Sequence, residues 1–151
     1  MARLSHIEAH MVQDQLVARE VMTPNPLVLP LTASVREGME ALAAQDVRHV
    51  PVVNEDGELV GILSDRDLRK LPFASADMVT AMGDPVRKAL DQPISSIMSG
   101  GVVAADQDTA IGEIAELMID QRIGAVPITD ADGRPVGIVS YVDILREVFR
   151  E

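Results

Sequence analysis

The sequence predicts an α/β (α+β) fold in which two β-α-β-β-α repeats, related by a pseudo-twofold axis, form one intertwined module. Three observations carry this. The chain matches itself at a shift of 76 residues, which sets Pro51 on Pro127 and Gly57 on Gly133. Each copy reads as a helix-period segment followed by two short apolar runs around a turn. At 151 residues, 47% hydrophobic and 25% charged, the chain has the size and composition of one compact domain or two closely fused halves.

The match runs without a gap from Val21 to Phe73 and from Ile97 to Phe149, and it sets Met22 on Met98, Gly61 on Gly137, Ser64 on Ser140 and Asp67 on Asp143. Each copy opens with a short extended stretch, residues 27–29 and 102–105, after a Met-Thr or Met-Ser turn. Thr32-Ala-Ser-Val-Arg-Glu37 and Asp108-Thr-Ala-Ile-Gly-Glu113 then supply oxygen-bearing caps with a Glu near the first turn, the chemistry of a helix start. The helices extend to Gln45 and Gln121, with Val35, Met39, Leu42 and Ile111, Ala115, Met118 along one face. Two strands follow in each copy, 50–53 with 59–63 and 126–128 with 135–139. Their turns, Asn54-Glu-Asp-Gly57 and Asp130-Ala-Asp-Gly133, end in Asp-Gly, a hairpin signal. A last helix begins after Ser64 and again after Ser140. Paired positions trade volume: Gly38 and Met39 stand where the second copy has Ile114 and Ala115, and Ala41 where it has Leu117. Two halves sharing one core would permit that trade.

The predicted organisation is an N-terminal helix over 1–17, a first repeat over 18–73, a connector over 74–92 and a second repeat over 93–151. Leu4, Ile7 and Met11 share one side of the N-terminal helix, which lies outside the repeat and packs on it or on a partner. In the connector Gly83 is a stop, and Asp84 caps a restart with Pro85 in the first helical position.

Composition excludes several functions. A formal net charge of −11, with no basic run longer than a pair such as Arg69-Lys70, argues against nucleic acid. No Trp, one Tyr and two Phe leave few faces on which bases could stack. The absence of Cys removes disulfides, thiol nucleophiles and thiolate-bound zinc. The first 20 residues lack the apolar core of a signal peptide, and no run of about 18 apolar residues predicts a membrane span. The expected setting is the cytoplasm, with no membrane partner. His6 and His10 are spaced to chelate on one helix face, but no third ligand is fixed, so no metal site is predicted. His49, Asp46 and Ser64 suggest a triad, yet no nucleophile elbow or oxyanion-hole glycines surround them, so catalysis is not expected.

The repeated pattern Met-Thr/Ser, helix, Val-Pro-Val/Ile, Asp-Gly, Gly-Ile-x-Ser-x-x-Asp resembles the CBS domain, and its duplication resembles a CBS pair, or Bateman module. The resemblance covers about 110 of the 151 residues. It implies a disc-forming module that usually dimerises, with adenine nucleotides or related adenosyl ligands in two clefts between the repeats. The implied site is Gly61-Ile-Leu-Ser64-Asp65-Arg66-Asp67 and its copy Gly137-Ile-Val-Ser140-Tyr141-Val142-Asp143. Asp67 and Asp143 would take the ribose hydroxyls, while Ser64 and Ser140 would lie near ribose or phosphate. A carboxylate accepts hydrogen bonds from a cis-diol, and a helix N-terminus offers amides to phosphate. Ser-x-x-Asp before an apolar helix is also a capping box, so ligand contact and capping both stand as readings.

Further candidates follow from the same resemblance. Arg48 and His49, with Arg66, would reach phosphate in one cleft; the second copy has Gly124, Ala125 and Val142 at those positions, so the clefts are unequal. Val28 and Ala104 would wall the adenine. The expectation is a non-catalytic homodimeric sensor of AMP, ADP, ATP or S-adenosylmethionine. No required cofactor is implied, and the signal would pass to an unidentified effector protein or to the N-terminal helix. The alternative is a ligand-free dimerisation or assembly module. An enzyme of a nucleotide pathway comes third, because no catalytic domain is recognisable.

Overall fold

A computed structural model of the chain describes residues 16–45, 47–71 and 84–149. The order is α1 (Ala18–Val21), β1 (Thr23–Pro24), β2 (Leu29–Pro30), α2 (Val35–Gln45), β3 (His49–Val53), β4 (Leu59–Ser64), α3 (Asp65–Arg69) and α4 (Asp84–Leu90), then a 3-10 turn at Ile94–Ser96. It continues with β5 (Ala105–Asp106), α5 (Ile111–Gln121), β6 (Ala125–Thr129), β7 (Pro135–Ser140) and α6 (Tyr141–Val148). These form two compact units. The internal unit is Leu27–Val102; the split unit joins the described residues up to Pro26 to those from Val103 onward.

Both units repeat one plan. In the internal unit β2 pairs parallel to β3, and β3 antiparallel to β4. In the split unit β5 pairs parallel to β6, β6 antiparallel to β7, and β1 antiparallel to the free side of β7. Thr23 stands opposite Ile138 there, and the internal counterpart is a bridge between Ser99 and Ile62 with both amide bonds at 3.2 Å. Each repeat therefore lends its Met-Thr/Ser segment to the sheet of the other repeat, and this exchange is what intertwines them. Close packing explains why the segment begins with Met. A Cβ on Gly61 would lie 2.6 Å from Met98 Sδ, and one on Gly137 would run into Met22 Sδ. Only glycine lets the thioether lie flat on the strand.

Helix starts show the same exchange. The Val35 amide donates to the Gln92 carbonyl at 2.8 Å, and the Ile111 amide to the Leu16 carbonyl at 3.0 Å. Ser34 and Glu37 add a capping box to α2, with the Glu37 amide 3.1 Å from Ser34 Oγ. The cap expected from Asp108 or Thr109 does not form, because Ala110 occupies the cap position of α5. Thr109 Oγ1 turns back instead to Asp106 Oδ1 at 3.0 Å, and the Leu16 carbonyl takes the first helical amide. Both helices end at Gln45 and Gln121, where the apolar spacing places them. The hairpin turns also follow expectation: Gly57 and Gly133 adopt φ of 81° and 80°, which glycine tolerates. Asn54 Oδ1 accepts from the Asp56 and Glu58 amides at 3.0 Å, and Asp130 makes the corresponding bonds.

Two expectations shift. The first strand of each copy is only two residues long and starts later than expected, at Leu29 and Ala105. Pairing with β3 begins at Leu29, and Pro30 has no amide to extend the ladder. Of the expected N-terminal helix, residues 1–15 with His6 and His10 lie outside the described residues, and so does Asp46. Val17 is extended and bridges to Ala110. In the connector the expected restart forms α4, which buries Val86 and Leu90 with Val35.

The volume trade closes inside each unit. Gly38 makes room for Leu63 and Ile94, to which a Cβ would come within 2.6 and 3.2 Å. The same three places in the split unit hold Ile114, Val139 and Ala18, all fully buried. A large helix residue with two smaller neighbours replaces a glycine with two larger ones.

Candidate functional site

In each unit the second hairpin strand runs into a helix through a serine. Ser64 is extended (φ −122°, ψ 163°) and caps α3; Ser140 (φ −100°, ψ 165°) caps α6. The Asp67 amide donates to Ser64 Oγ at 3.2 Å, while Asp67 Oδ2 accepts from the Ser64 amide at 2.9 Å and lies 3.1 Å from Ser64 Oγ. Ser140 and Asp143 repeat this at 3.3, 2.8 and 3.0 Å. Capping is thus complete in both copies, and it occupies one carboxylate oxygen of each Asp. The second oxygen, Oδ1, is left for other partners.

Those partners differ between the units. Asp67 Oδ1 has Ser99 Oγ at 3.4 Å and Lys70 Nζ at 3.5 Å, and the side chain is 3% exposed. Asp143 Oδ1 has Arg146 Nη1 at 3.9 Å, and its side chain is 13% exposed. Ser99, Lys70 and Arg146 were not among the sequence-derived site residues. A signal existed: a hydroxyl follows Met in both copies (Thr23, Ser99), and a cation follows Asp by three residues in both (Lys70, Arg146).

Fewer amides face outward at these helix starts than a bare N-terminus would offer. The Asp65 and Tyr141 amides donate to the Arg48 and Gly124 carbonyls at 3.0 Å, and those of Asp67 and Asp143 to the capping serines. A phosphate brought to these helix starts would therefore meet side chains rather than free first-turn amides. His49 stands opposite Ser64 in the β3–β4 register and is half-buried. Burial lowers its pKa below the ordinary 6.5, Asp65 and Asp67 pull it back up, and Arg48 and Arg66 push it further down. That set of neighbours places Arg48, His49 and Arg66 in one electrostatic group with Asp67. Asp65 is held below the usual carboxylate range: burial raises it, but the Arg69 guanidinium at 2.8 Å and the Arg66 amide more than offset that. In the split unit Gly124, Ala125 and Val142 replace Arg48, His49 and Arg66.

Val28 and Ala104 are both exposed and precede β2 and β5. Ala104 lines a depression of about 350 Å³ with Ala105, Asp106, Thr109, Glu113, Leu117 and Thr129, a lining that includes neither Ser140 nor Asp143. Among the described residues no group of three His, Cys, Asp or Glu side chains is placed to hold a metal ion, and no helix is long and apolar enough to cross a membrane.

Comparison with known proteins places this geometry. The CBS-domain family model matches residues 18–73 and 94–150. A CBS domain-containing protein of Dictyostelium discoideum is 30% identical over 131 residues, which is 87% of this chain and 90% of that one. Inosine-5′-monophosphate dehydrogenase of Methanocaldococcus jannaschii is 29% identical over 92% of this chain, but the match spans only 25% of the enzyme. Among solved structures, the CBS domain pair of protein MJ0100 in complex with 5′-methylthioadenosine and S-adenosyl-L-methionine aligns with a TM-score of 0.69 and 27% identity, covering 87% of this chain and 94% of that one. CBSX2 in complex with AMP aligns at 0.70 and 26%, covering 86% and 93%.

Proposed function

The chain belongs to the CBS-domain family, and from that premise we propose that it is a regulatory module that binds an adenosine-containing ligand and signals through a homodimer. One observation carries the reading. In both units the Asp of the Ser-x-x-Asp box caps through Oδ2, while Oδ1 has only longer contacts within the chain, at 3.4 and 3.5 Å for Asp67 and 3.9 Å for Asp143, which a stronger donor could replace. Ribose hydroxyls are such donors, and a charged acceptor makes each bond stronger than a neutral one. The ligands of the two similar solved structures, AMP in one and two adenosyl sulfur compounds in the other, belong to this chemical class.

The units would prefer different members of it. Arg48, His49 and Arg66 with Lys70 suit the phosphate of AMP, ADP or ATP in the internal unit. The split unit, with Gly124, Ala125 and Val142, suits a ligand without phosphate, of the S-adenosylmethionine class. Val28 and Ala104 would offer apolar surface to adenine. The bound state would be read by an effector protein, since the module itself is proposed to be non-catalytic.

A thermal-shift series on the full chain with AMP, ADP, ATP, S-adenosylmethionine and NAD tests this. A ligand at about 100 times its dissociation constant stabilises the fold by about 2.7 kcal/mol. The completed capping boxes favour one rival, a ligand-free assembly module. No shift with any of the five compounds would decide for that rival.

A further inference from the structure

Of the cationic positions proposed to meet phosphate in the internal unit, only His49 changes charge near neutral pH. Its place is fixed by the sheet. His49 opens β3 and pairs with Ser64 at the end of β4, so the two side chains share one face with their Cβ atoms about 5 Å apart. The Asp65 amide donates to the Arg48 carbonyl at 3.0 Å, which ties the start of β3 to the start of α3. The half-buried imidazole is therefore held beside the Ser-x-x-Asp box.

The charges around the ring nearly balance. Asp65 and Asp67 on α3 favour the imidazolium, while Arg48, just before β3, and Arg66 on α3 oppose it. Farther along α3, Arg69 is engaged by Asp65 at 2.8 Å, and Lys70 lies 3.5 Å from Asp67. The other neighbour of β3, β2, consists of Leu29 and Pro30 and carries no charge. With its neighbours in balance, burial decides, and the ring is neutral at pH 7 in the free protein. A phosphate ester brings about −1.5 to −2 charges at that pH, enough to break the balance.

We propose that His49 couples nucleotide binding to pH: the internal unit takes up a proton on His49 when a phosphate-bearing adenosine ligand binds, so its affinity for such a ligand rises as the solution becomes more acidic. The proposal rests on the phosphate reading of that unit and adds its regulation. An opposite charge within about 4–6 Å favours the charged form of a titrating group, and linkage then requires the proton to favour the ligand in return. A single proton limits the effect to about ten-fold in affinity per pH unit. The split unit provides a contrast within the same chain. Ala125 stands opposite Ser140 there, in the register of His49 and Ser64, and has nothing to titrate.

Isothermal titration of the full chain with AMP at pH 7.5 and 6.5, each in two buffers of different ionisation heat, reads affinity and proton uptake together. Affinity should rise about three- to ten-fold at the lower pH, with net proton uptake. Adenosine, which brings no phosphate, should bind the wild type alike at both. His49→Gln should abolish the rise and the uptake. His49→Arg, charged at both pH values, should bind AMP at pH 7.5 at least as tightly as the wild type does at pH 6.5. A wild-type AMP affinity that is flat across the range overturns the proton coupling and leaves the phosphate reading standing. So does a rise that survives in His49→Gln, which would place the proton elsewhere, and so does an equal rise with adenosine. No AMP binding by the wild type at either pH overturns both.

Discussion

Replacing Asp143 by Asn separates capping from the proposed ligand contact, because the two would use different oxygens. Asp143 Oδ2 accepts from the Ser140 amide at 2.8 Å, and that amide can only donate. Asn must therefore turn its carbonyl to the Ser140 amide, which preserves the cap and puts its NH2 where Oδ1 now lies, beside Arg146. A ribose diol then loses its charged acceptor. A hydrogen bond to a charged group contributes about 1.5–3 kcal/mol and a neutral one about 0.5–1.5, so Asp143→Asn should weaken the split-unit ligand about ten- to a hundred-fold. Stability without ligand should fall by less than about 1 kcal/mol, the value of a negative charge in the first helical turn. Asp143→Ala removes the cap as well and should cost about 0.5–2 kcal/mol. Isothermal titration with S-adenosylmethionine and adenosine, beside urea melts, reads both quantities. Affinity should follow Asp well above Asn and Ala, and stability should follow Asp, Asn, Ala in that order. An Asn variant with unchanged affinity would leave Asp143 a helix cap and nothing more.

Arg48→Ala should weaken AMP about ten-fold or more and leave adenosine unchanged, because a guanidinium–phosphate bond is charge-assisted; equal losses for both ligands in titrations would remove the phosphate assignment. The pH dependence of stability should carry a contribution from His49. Burial first, with Arg48 and Arg66 assisting against Asp65 and Asp67, lowers its folded pKa, so the unfolded chain takes up the proton first. Its contribution is fully present above about pH 6.5 and is lost as the pH falls through 6.5 towards the folded value. Urea midpoints should therefore drop more between pH 7.5 and 5.5 in the wild type than in His49→Gln, and parallel curves would refute this. In the core, Gly38→Ile alone should destabilise by at least about 1–3 kcal/mol through overpacking. Adding Leu63→Val and Ile94→Ala, which copies the Ile114, Val139 and Ala18 packing, should recover more than half of that in urea melts. A triple variant no more stable than the single one would refute the compensation.

Much of the fold was legible because its signals are local. The Asp-Gly turns and the Ser-x-x-Asp boxes each lie within a few residues of chain, the 76-residue shift repeats them, and α2 and α5 end where their apolar spacing stops. The segment exchange was not legible in detail. It rests on two-residue pairings such as Thr23 with Ile138, too short for any alternation to show. It rests as well on carbonyls such as those of Leu16 and Gln92, which any residue type supplies. For the same reason the cap of α5 was misplaced: a backbone acceptor made a side-chain cap at Ala110 unnecessary. At the site, sequence named the Ser and the Asp but left capping and ligand contact as competing readings. The structure shows that each cap uses one carboxylate oxygen, so the two readings do not exclude one another.

Divergence around the two boxes bears on the ligand and on the helix that follows. The residues between and just after the Ser and Asp of each box are Asp65, Arg66 and Arg69 in one copy and Tyr141, Val142 and Leu145 in the other. Charged residues there keep α3 hydrated and add Arg66 to the cations around Asp67, which favours phosphate and disfavours apolar contact. Under the proposed function, the apolar residues would take phosphate affinity from the split unit, and they leave Tyr141, Val142 and Leu145 exposed. A duplicated helix that kept one composition in both copies would gain one property twice. On α6, Asp143 and Leu145 are two residues apart, so Asp143 Oδ1 and the apolar face share one rigid element. An adenosyl ligand that reorients Asp143 would act directly on α6, with no intervening loop to absorb the change. In a signalling homodimer any such coupling is reciprocal: whatever factor ligand applies to association, association must apply to ligand affinity.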